Sequence, residues 1–421
     1  MSLIFHAGKR ITLLRNYALM SQDELAKELN ISRSYLSNLE KGKNPLLNHI
    51  IKDVASFFKI HSDFFMNLTP NNEVQKYLDS LSESLLQNRM RDAQACVISL
   101  EIPLFNLIQD IEANFLKAAY YLRSHQYEKT YELEEEFIKV LLRDFEITAV
   151  PLSTQKAYYC YLIEKNIHLR HYSSCEKYCN RLIDLLSNQS EKQGPELTKV
   201  YLKMKQGNKA LAFSQIQPMI TTLESSNQHH LLAEGYSFLS SIHIDLKLYE
   251  NALEHLEKLD LLATELELPN QRFIVAQQRG YIYRELKNYN QSLAFHKEAL
   301  TLATTSSRKA TVHLSIISNY IELNDLENAE LHISFAHKYE VSTYEKMVLL
   351  SYSSQIALYK GDREKFQETH QKSLTFFIEN NYAKNLHYVY SYLADFHLKQ
   401  RKYKLAAEYY KKKENLNYEI I

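Results

Sequence analysis

The chain has 421 residues, a mass of 49.5 kDa and a formal net charge of zero, because 50 Lys and Arg residues balance 50 Asp and Glu residues. This length is about three times that of a typical single domain, so we expect several folding units or a repeat array. The balanced charge argues against a chain-wide basic coat for nucleic acid and against an acidic tail.

Glycine and proline are scarce. There are seven of each among 421 residues, whereas together they usually make up about 12% of a protein. Folds rich in strands need these residues at every reversal of the chain, and helical pairs need few. The composition therefore predicts an all-α protein. No G-x-G-x-x-G or G-x-x-x-x-G-K-[ST] string occurs, which disfavours dinucleotide-binding and P-loop enzymes.

Cysteine usage and hydropathy indicate the compartment. The four cysteines are too few for a disulfide framework in a chain of this length. The first residues carry charges where a signal peptide needs an apolar stretch. No segment approaches 18 uncharged apolar residues, so we expect no membrane span. These features predict a cytoplasmic protein.

Apolar periodicity in the first 66 residues predicts five short helices, at about residues 6–17, 22–29, 33–41, 46–57 and 62–66. The string from Ser21 to Glu24 is a capping box that begins the second helix. Ser32 caps the third helix, and Gly42 ends it. Two short helices joined by a tight turn form a helix-turn-helix, whose second helix enters the major groove of DNA.

The segment SQDELAKELNISRSYLSNLEKGKNP resembles the Cro/repressor-type (XRE) DNA-binding domain. The resemblance covers residues 6–66, and we assign residues 1–66 to this domain. The resemblance implies an Arg15–Glu40 pair inside the fold. It also implies that four residues contact base edges, namely Arg33, Ser34, Ser37 and Asn38. Gln22 is then expected to contact a phosphate. The flanking DNA backbone is expected to be contacted by Lys41, Lys43 and Asn44. Nine basic and six acidic residues give residues 1–66 a charge of +3, which has the sign that DNA binding requires. The alternative is that these side chains form only a solvated face or a dimerisation module.

After a linker at residues 67–72, residues 73–421 read as a repeat domain. The segment HYVYSYLADFHLKQRKYKLAAEYYKKKENL, residues 387–416, resembles the tetratricopeptide (TPR) pattern. Eight to nine helical hairpins are expected, in a right-handed superhelical solenoid. The second helix of each hairpin is predicted to begin at Met90, Tyr127, Tyr172, Gly207, Tyr249, Tyr289, Leu326, Arg363 and Tyr403.

The first helices of such an array line its inner, concave surface. Polar side chains placed there suit the backbone of an extended peptide, and Arg123 or Arg284 suits a carboxylate. The candidate peptide-binding residues are Arg123, Ser241, Asp245, Gln278, Tyr281, Arg284, Ser315, Ser318, Tyr352, Gln355, Tyr392 and Asp395. The alternative is that they are simply the polar inner face that any solenoid has.

No constellation typical of catalysis or metal binding stands out. Cys175 and Cys179 share a helical face but lack the second ligand pair of a zinc site, so we interpret them as core residues. No carboxylate pair and no Ser/Cys–His arrangement is evident. We therefore expect no enzyme activity, no metal and no cofactor.

The order of domains resembles the RRNPP family of peptide-regulated bacterial regulators. The resemblance implies a cytoplasmic transcription factor for quorum sensing, whose TPR domain binds a short signalling peptide. The expected partners are that peptide and double-stranded DNA, and symmetry favours a homodimer on an inverted repeat. Two alternatives remain at this stage: a Rap-like protein that binds a phosphorelay response regulator, and a TPR scaffold for other proteins.

Overall fold

Helices joined by short turns make up almost all of the structure. The computed structural model describes residues 7–60, 62, 65, 70–101, 106–139, 147–339 and 342–416. No β-strand occurs in these ranges, and the predicted all-α class is confirmed. Most of the predicted helix at 62–66, and the predicted linker as far as residue 69, lie outside the described residues. No helix of the described ranges is long and apolar enough to span a membrane.

The first four helices begin where local signals place them. Ser21 forms a complete capping box with Glu24, and the Ser32 hydroxyl accepts from the backbone N–H of Tyr35. Gly42 follows the third helix with φ of 67°, in the left-handed region that ends helices. These helices are α1 Ala7–Tyr17, α2 Gln22–Glu28, α3 Arg33–Glu40 and α4 Asn48–Phe57.

Nine helical hairpins follow in the described residues, and eight of their second helices begin at the predicted residue. The exception starts at Lys209 rather than Gly207. A π-helical turn, Glu134–Ile138, continues the second hairpin. The hairpins are α5 Asn72–Leu86 with α6 Met90–Ser99, α7 Leu107–Arg123 with α8 Tyr127–Leu133, α9 Leu152–His168 with α10 Tyr172–Leu185, α11 Gln189–Lys205 with α12 Lys209–Glu224, α13 His229–Asp245 with α14 Tyr249–Glu265, α15 Pro269–Glu285 with α16 Tyr289–Leu302, α17 Ser306–Glu322 with α18 Leu326–Ala336, α19 Thr343–Lys360 with α20 Arg363–Glu379, and α21 Ala383–Lys399 with α22 Tyr403–Glu414.

The turns inside the hairpins explain how a chain so poor in glycine reverses so often. In each hairpin the residue two positions before the second helix has a positive φ, and in seven of the nine it is not glycine. At Lys287, for example, φ is 60°, and the next N–H, of Asn288, donates to the Tyr283 carbonyl at 2.8 Å. This is a Schellman ending, which satisfies a terminal carbonyl of the first helix. The hydrogen bond offsets the strain of about 1–2 kcal/mol that a left-handed side chain costs.

The chain divides into an N-terminal unit, Met1–Gln206 with Ala210–Leu231, and a C-terminal unit, Gly207–Lys209 with Leu232–Ile421. In the N-terminal unit, Leu25, Leu36 and Val54 are fully buried in a small core formed by the first four helices. The first hairpins have a separate core, in which Cys175 and Cys179 are also fully buried, as predicted.

Close helix contacts hold the hairpins of the C-terminal unit. Gly280, in the middle of α15, lies against the buried ring of His296 on α16. A β-carbon at position 280 would lie 2.5 Å from that ring, so only glycine fits there without displacement. The Ser292 hydroxyl donates to the Gly280 carbonyl at 2.6 Å and closes the same contact.

Candidate functional site

The helix-turn-helix is held together by an ion pair beneath its surface. The Arg15 Nε and Nη2 atoms donate to the two carboxylate oxygens of Glu40 at 2.6 and 3.0 Å. Arg15 also donates to the Asn16 side chain and to the Met20 carbonyl. The resemblance predicted this pair, and the structure confirms it. Because it joins α1 to α3, it sets the position of the third helix, which carries the candidate base contacts.

The candidate contacts to base edges and to the flanking DNA backbone lie on α3 and in the turn that follows it. Arg33, Ser34, Lys41 and Lys43 are exposed, whereas Ser37, Asn38 and Asn44 are half-buried. The Arg33 guanidinium lies 3.5 Å from the Asp23 carboxylate, and both side chains are 66% exposed. An ion pair this exposed is weak, so Arg33 can exchange Asp23 for a base edge at little cost.

The Gln22 side chain bonds within the domain, whereas it was predicted to contact a phosphate of DNA. Its side-chain amide donates to a Glu40 carboxylate oxygen at 2.7 Å and so joins the Arg15–Glu40 pair. In this structure the side chain therefore supports the fold. Its backbone N–H, in the first turn of α2, still suits a phosphate at a helix N-terminus.

Helix α1 also attaches the DNA-binding domain to the repeat domain. Leu13 is buried in the same apolar cluster as Val74 and Leu78 of α5. Arg10 is fully buried and interacts electrostatically with Asp110 of α7. Burial raises the pKa of Asp110 to about 6, although Lys117 and Arg10 oppose that shift. The domain thus packs on the first hairpins through buried side chains as well as through the chain connection. This contact is not predictable from the sequence, because an arginine next to a lysine in an N-terminal helix is typical of an exposed surface.

Three of the twelve predicted peptide-binding residues line one pocket of the C-terminal unit, namely Arg284, Ser318 and Tyr352. Its volume is about 470 Å³, in the range of sites that bind small ligands. The first helices of four successive hairpins, α15, α17, α19 and α21, contribute to its wall. The residues that sequence reasoning missed are Glu285, Lys287, Tyr289, Glu322, Tyr344, Val348, Ser351, Lys384, Asn385 and Tyr388.

Two of the predicted residues are buried beneath the inner surface rather than exposed on it. Gln355 is 2% exposed and accepts from the Tyr388 hydroxyl at 2.5 Å. Tyr392 is 4% exposed and lies near Ser354 and His370. A small error in helix rotation explains both, since a residue one position away on a helix lies about 100° around the axis.

Other predicted residues are engaged with their neighbours. Arg123 forms an ion pair with Glu164 and donates to the Leu85 carbonyl at 2.5 Å, so it braces three successive first helices. The Gln278 amide donates to the Ser241 hydroxyl at 2.7 Å and joins α15 to α13.

The remaining four lie apart from the pocket wall. Asp245 pairs with Lys209 at 3.2 Å, and Asp395 accepts from the Tyr410 hydroxyl at 2.6 Å. Tyr281 is 38% exposed beside Arg284, and the half-buried Ser315 donates to a carbonyl of its own helix.

Arg284 dominates the electrostatics of the pocket. Its guanidinium lies 5.1 Å from the centre of the Tyr281 ring and 3.1 Å from a Glu285 carboxylate oxygen. Burial lowers its pKa, but Tyr352 and Glu285 raise it, and the net shift is upward. Burial also raises the pKa of Tyr352, against the effects of Arg284 and Ser318. At neutral pH the pocket therefore holds a charged guanidinium among protonated tyrosine hydroxyls.

The structure offers no obvious metal site in the residues it describes, where no group of three or more His, Cys, Asp or Glu side chains converges. Burial raises the pKa of Cys160 to about 12, which keeps that thiol protonated at neutral pH.

Comparisons with known proteins agree with this architecture. Residues 13–65 match the helix-turn-helix family HTH_3. No curated protein sequence is significantly similar to the chain. Among solved structures, a Rap protein complexed with Competence and Sporulation Factor is similar with a TM-score of 0.60 at 13% identity, covering 83% of this chain and 99% of that one.

Two further proteins are similar in structure. The quorum sensor NprR from B. thuringiensis, in its apo form, has a TM-score of 0.60 at 14% identity, covering 82% of this chain and 98% of its own. NprR in complex with its cognate peptide NprX gives 0.55 at 14%, with coverages of 81% and 98%. Aspartyl phosphate phosphatase F from Bacillus subtilis gives 0.54 at 12%, with coverages of 84% and 96%.

At these identities the similarity establishes the fold of the repeat domain. The chain thus carries a helix-turn-helix DNA-binding domain of the HTH_3 type in front of a TPR-like array with the fold of Rap and NprR.

Proposed function

We propose that this protein is a cytoplasmic transcription regulator that binds an inverted-repeat operator as a homodimer and is controlled by a short signalling peptide. The observation that carries the proposal is the pocket shared by four inner helices, in a chain that also carries a DNA-binding helix-turn-helix. The similar NprR structure in complex with its cognate peptide supports a peptide as the ligand.

The DNA-binding half of the proposal depends on α3. Arg33 suits the O6 and N7 atoms of guanine, and Asn38 suits the N6 and N7 atoms of adenine. One such domain covers too few base pairs to select a genomic site, so two copies are needed. Their half-sites should be centred about one helical turn apart or a multiple of it.

The packing of α1 on the first hairpins supports a link between the two domains. Because Leu13 and Arg10 are buried there, the DNA-binding domain should follow movements of α5 and α7. A peptide can shift the protein between two states only by its differential affinity for them, typically 1–3 kcal/mol.

The test is to incubate the full chain with fragmented genomic DNA of its source and to sequence the fragments that it retains. We expect one enriched inverted repeat, and a dimer by light scattering. Peptides encoded next to the gene are then added, with calorimetry and operator affinity as readouts. A chain that retains no DNA sequence selectively contradicts the proposed regulator, and one that binds as a monomer contradicts the dimer.

A second candidate function follows from the fold shared with Rap and with aspartyl phosphate phosphatase F. In this case the repeat domain binds a phosphorylated response regulator. Accelerated loss of phosphate from such a regulator, together with no selective DNA binding, would favour this function over the first.

A further inference from the structure

The inner pocket of the C-terminal unit is lined by more positively charged side chains than negatively charged ones. Three cations, Arg284, Lys287 and Lys384, line it, against two carboxylates, Glu285 and Glu322. Neither lysine has an ion-pair partner within 4 Å among the described residues. The lining therefore has a net charge of +1, which suits a ligand with one negative charge.

Arg284 has hydrogen-bonding capacity to spare. A guanidinium has five N–H donors in a planar fork. Among the residues that the structure describes, Arg284 uses one of them, in its bond to Glu285. Its side chain is 27% exposed, so a ligand in the pocket can reach it. The Tyr281 ring on one side limits its rotation and orders the fork before a ligand arrives.

The remaining wall is aromatic. Tyr352 and Tyr388 pack edge to face, with ring centres 5.7 Å apart, and Tyr344 and Val348 complete the apolar part of the lining. The Tyr344 hydroxyl donates to the Asn385 carbonyl oxygen at 3.2 Å, which leaves the Asn385 amide N–H groups available as donors. The pocket thus combines a cationic fork with an apolar surface.

We propose that this pocket binds a carboxylate of the peptide, which the Arg284 fork holds, with a large apolar side chain next to it that packs on the tyrosines. This inference rests on the proposed peptide-binding function. A planar carboxylate matches the guanidinium fork. Glu285 and Glu322 would repel a dianionic phosphate group, so they favour a monoanion. The volume of about 470 Å³ holds a few residues, such as one end of a short peptide.

The carboxylate can come from the peptide C-terminus or from an Asp or Glu side chain, and the experiment separates these sources. The full-length protein is mixed with a pool of short random peptides that have free C-termini, and in parallel with the same pool amidated. Bound peptides are isolated by gel filtration and identified by mass spectrometry. Preference for the free-acid pool identifies the C-terminus, and enrichment of Asp or Glu in both pools identifies a side chain.

The variant Arg284→Gln should lose this preference by about ten- to hundred-fold, the range for hydrogen bonds to a charged group. Arg272→Gln is the matched control, because it removes the same charge from an exposed position of the same helix. Circular dichroism checks that both variants keep their helices. If Arg284→Gln does not fold, Lys384→Gln tests the same pocket from an exposed position, and a reduced preference for acidic peptides is expected.

Selection of peptides without an acidic preference overturns the carboxylate site and leaves peptide binding intact. Selection that is unchanged in Arg284→Gln also overturns it. If the unmodified protein enriches no peptide from either pool, the carboxylate site and the proposed peptide function both fail.

Discussion

The two candidate binding surfaces use arginine in opposite ways. In the helix-turn-helix, Arg15 makes four hydrogen bonds, to Glu40, Asn16 and Met20, and is part of the fold. In the inner pocket, Arg284 makes one hydrogen bond to the part of the chain that the structure describes, and its acceptor is the neighbouring Glu285. An arginine whose donors mostly bond within the fold stabilises the structure, whereas an arginine with most of its donors unused is available to a ligand. The position of the partners, rather than the residue type, therefore decides which role an arginine has.

The largest effect is expected from breaking the Arg15–Glu40 ion pair. Arg15→Ala leaves the buried Glu40 carboxylate without its cation, and the loss of one partner from such a pair costs about 3–5 kcal/mol. The helix-turn-helix should then unfold, and DNA binding should be lost. Hydrogen exchange of the α3 amides measures this. Arg33→Ala is the control, because its exposed ion pair should leave those amides protected. Equal protection of α3 in Arg15→Ala and in the unmodified protein would contradict the structural role.

A similar test of packing in the C-terminal unit concerns Gly280. Gly280→Ala places a methyl group against the buried His296 ring and should destabilise the unit by about 1–3 kcal/mol, as overpacking does. Thermal unfolding and hydrogen exchange of α15 and α16 report the change. Adding His296→Ala makes room for the methyl group, so the penalty of Gly280→Ala should disappear in that background. A gain in stability from Gly280→Ala alone, through the better helix propensity of alanine, would show that the ring moves away freely.

Substitutions at the proposed DNA-binding surface should lower the affinity for DNA without changing the fold. Arg33→Ala should cost about 1–3 kcal/mol at the selected operator and relax the preference at one base pair. Lys43→Ala should weaken binding to all DNA sequences alike and reduce the dependence of that binding on salt concentration. Fluorescence anisotropy on matched operator and scrambled duplexes at several salt concentrations separates the two. If both variants behave alike, α3 does not read bases as proposed.

The smallest expected effect is the loss of stability that each of two buried histidines causes when the pH falls. Burial lowers the pKa of His296 to about 4, and burial together with His332 lowers the pKa of His313 to about 4. In the unfolded chain both should titrate near pH 6.5. Below that pH the unfolded state binds protons that the folded state does not, so the stability present above pH 6.5 is lost as the pH falls towards 4. The slope is at most about 1.4 kcal/mol per pH unit for each histidine.

Urea unfolding at pH 7.5 and 5.5 measures this loss in the C-terminal unit. His296→Gln should reduce the difference between the two pH values, while His337→Gln, at an exposed position, should leave it unchanged. A difference that persists undiminished in His296→Gln would assign the acid sensitivity to other groups.

Much of the fold was predictable because it depends on local signals. The caps at Ser21 and Ser32 act within three residues of themselves, and they place α2 and α3 correctly. The aromatic residue that begins many second helices recurs at regular intervals, and it located the hairpins to within two residues. The Arg15–Glu40 pair came from resemblance to a known domain, since no local rule joins residues 25 positions apart.

The pocket was only partly predictable. Arg284, Ser318 and Tyr352 were placed correctly on the inner helices, but Gln355 and Tyr392 are buried beneath that surface. Helical periodicity gives a face to within about one residue, and one residue corresponds to about 100° of rotation. Lys287 and Tyr289 were missed because they line the pocket from a turn and from the start of a second helix, which a rule about first helices does not include.

The helices and most of their ends were thus predictable from sequence, because propensities, caps and periodic apolar stripes act over a few residues. Which charges are neutralised and which are left for a ligand depends instead on contacts between helices. The tertiary structure buried Arg10, whose charge interacts with Asp110, engaged Arg15 in four hydrogen bonds, and left Arg284 with one hydrogen bond to the described residues. The physical reason is that burial and pairing depend on how neighbouring helices rotate and approach, and these contacts join residues that lie far apart in the chain.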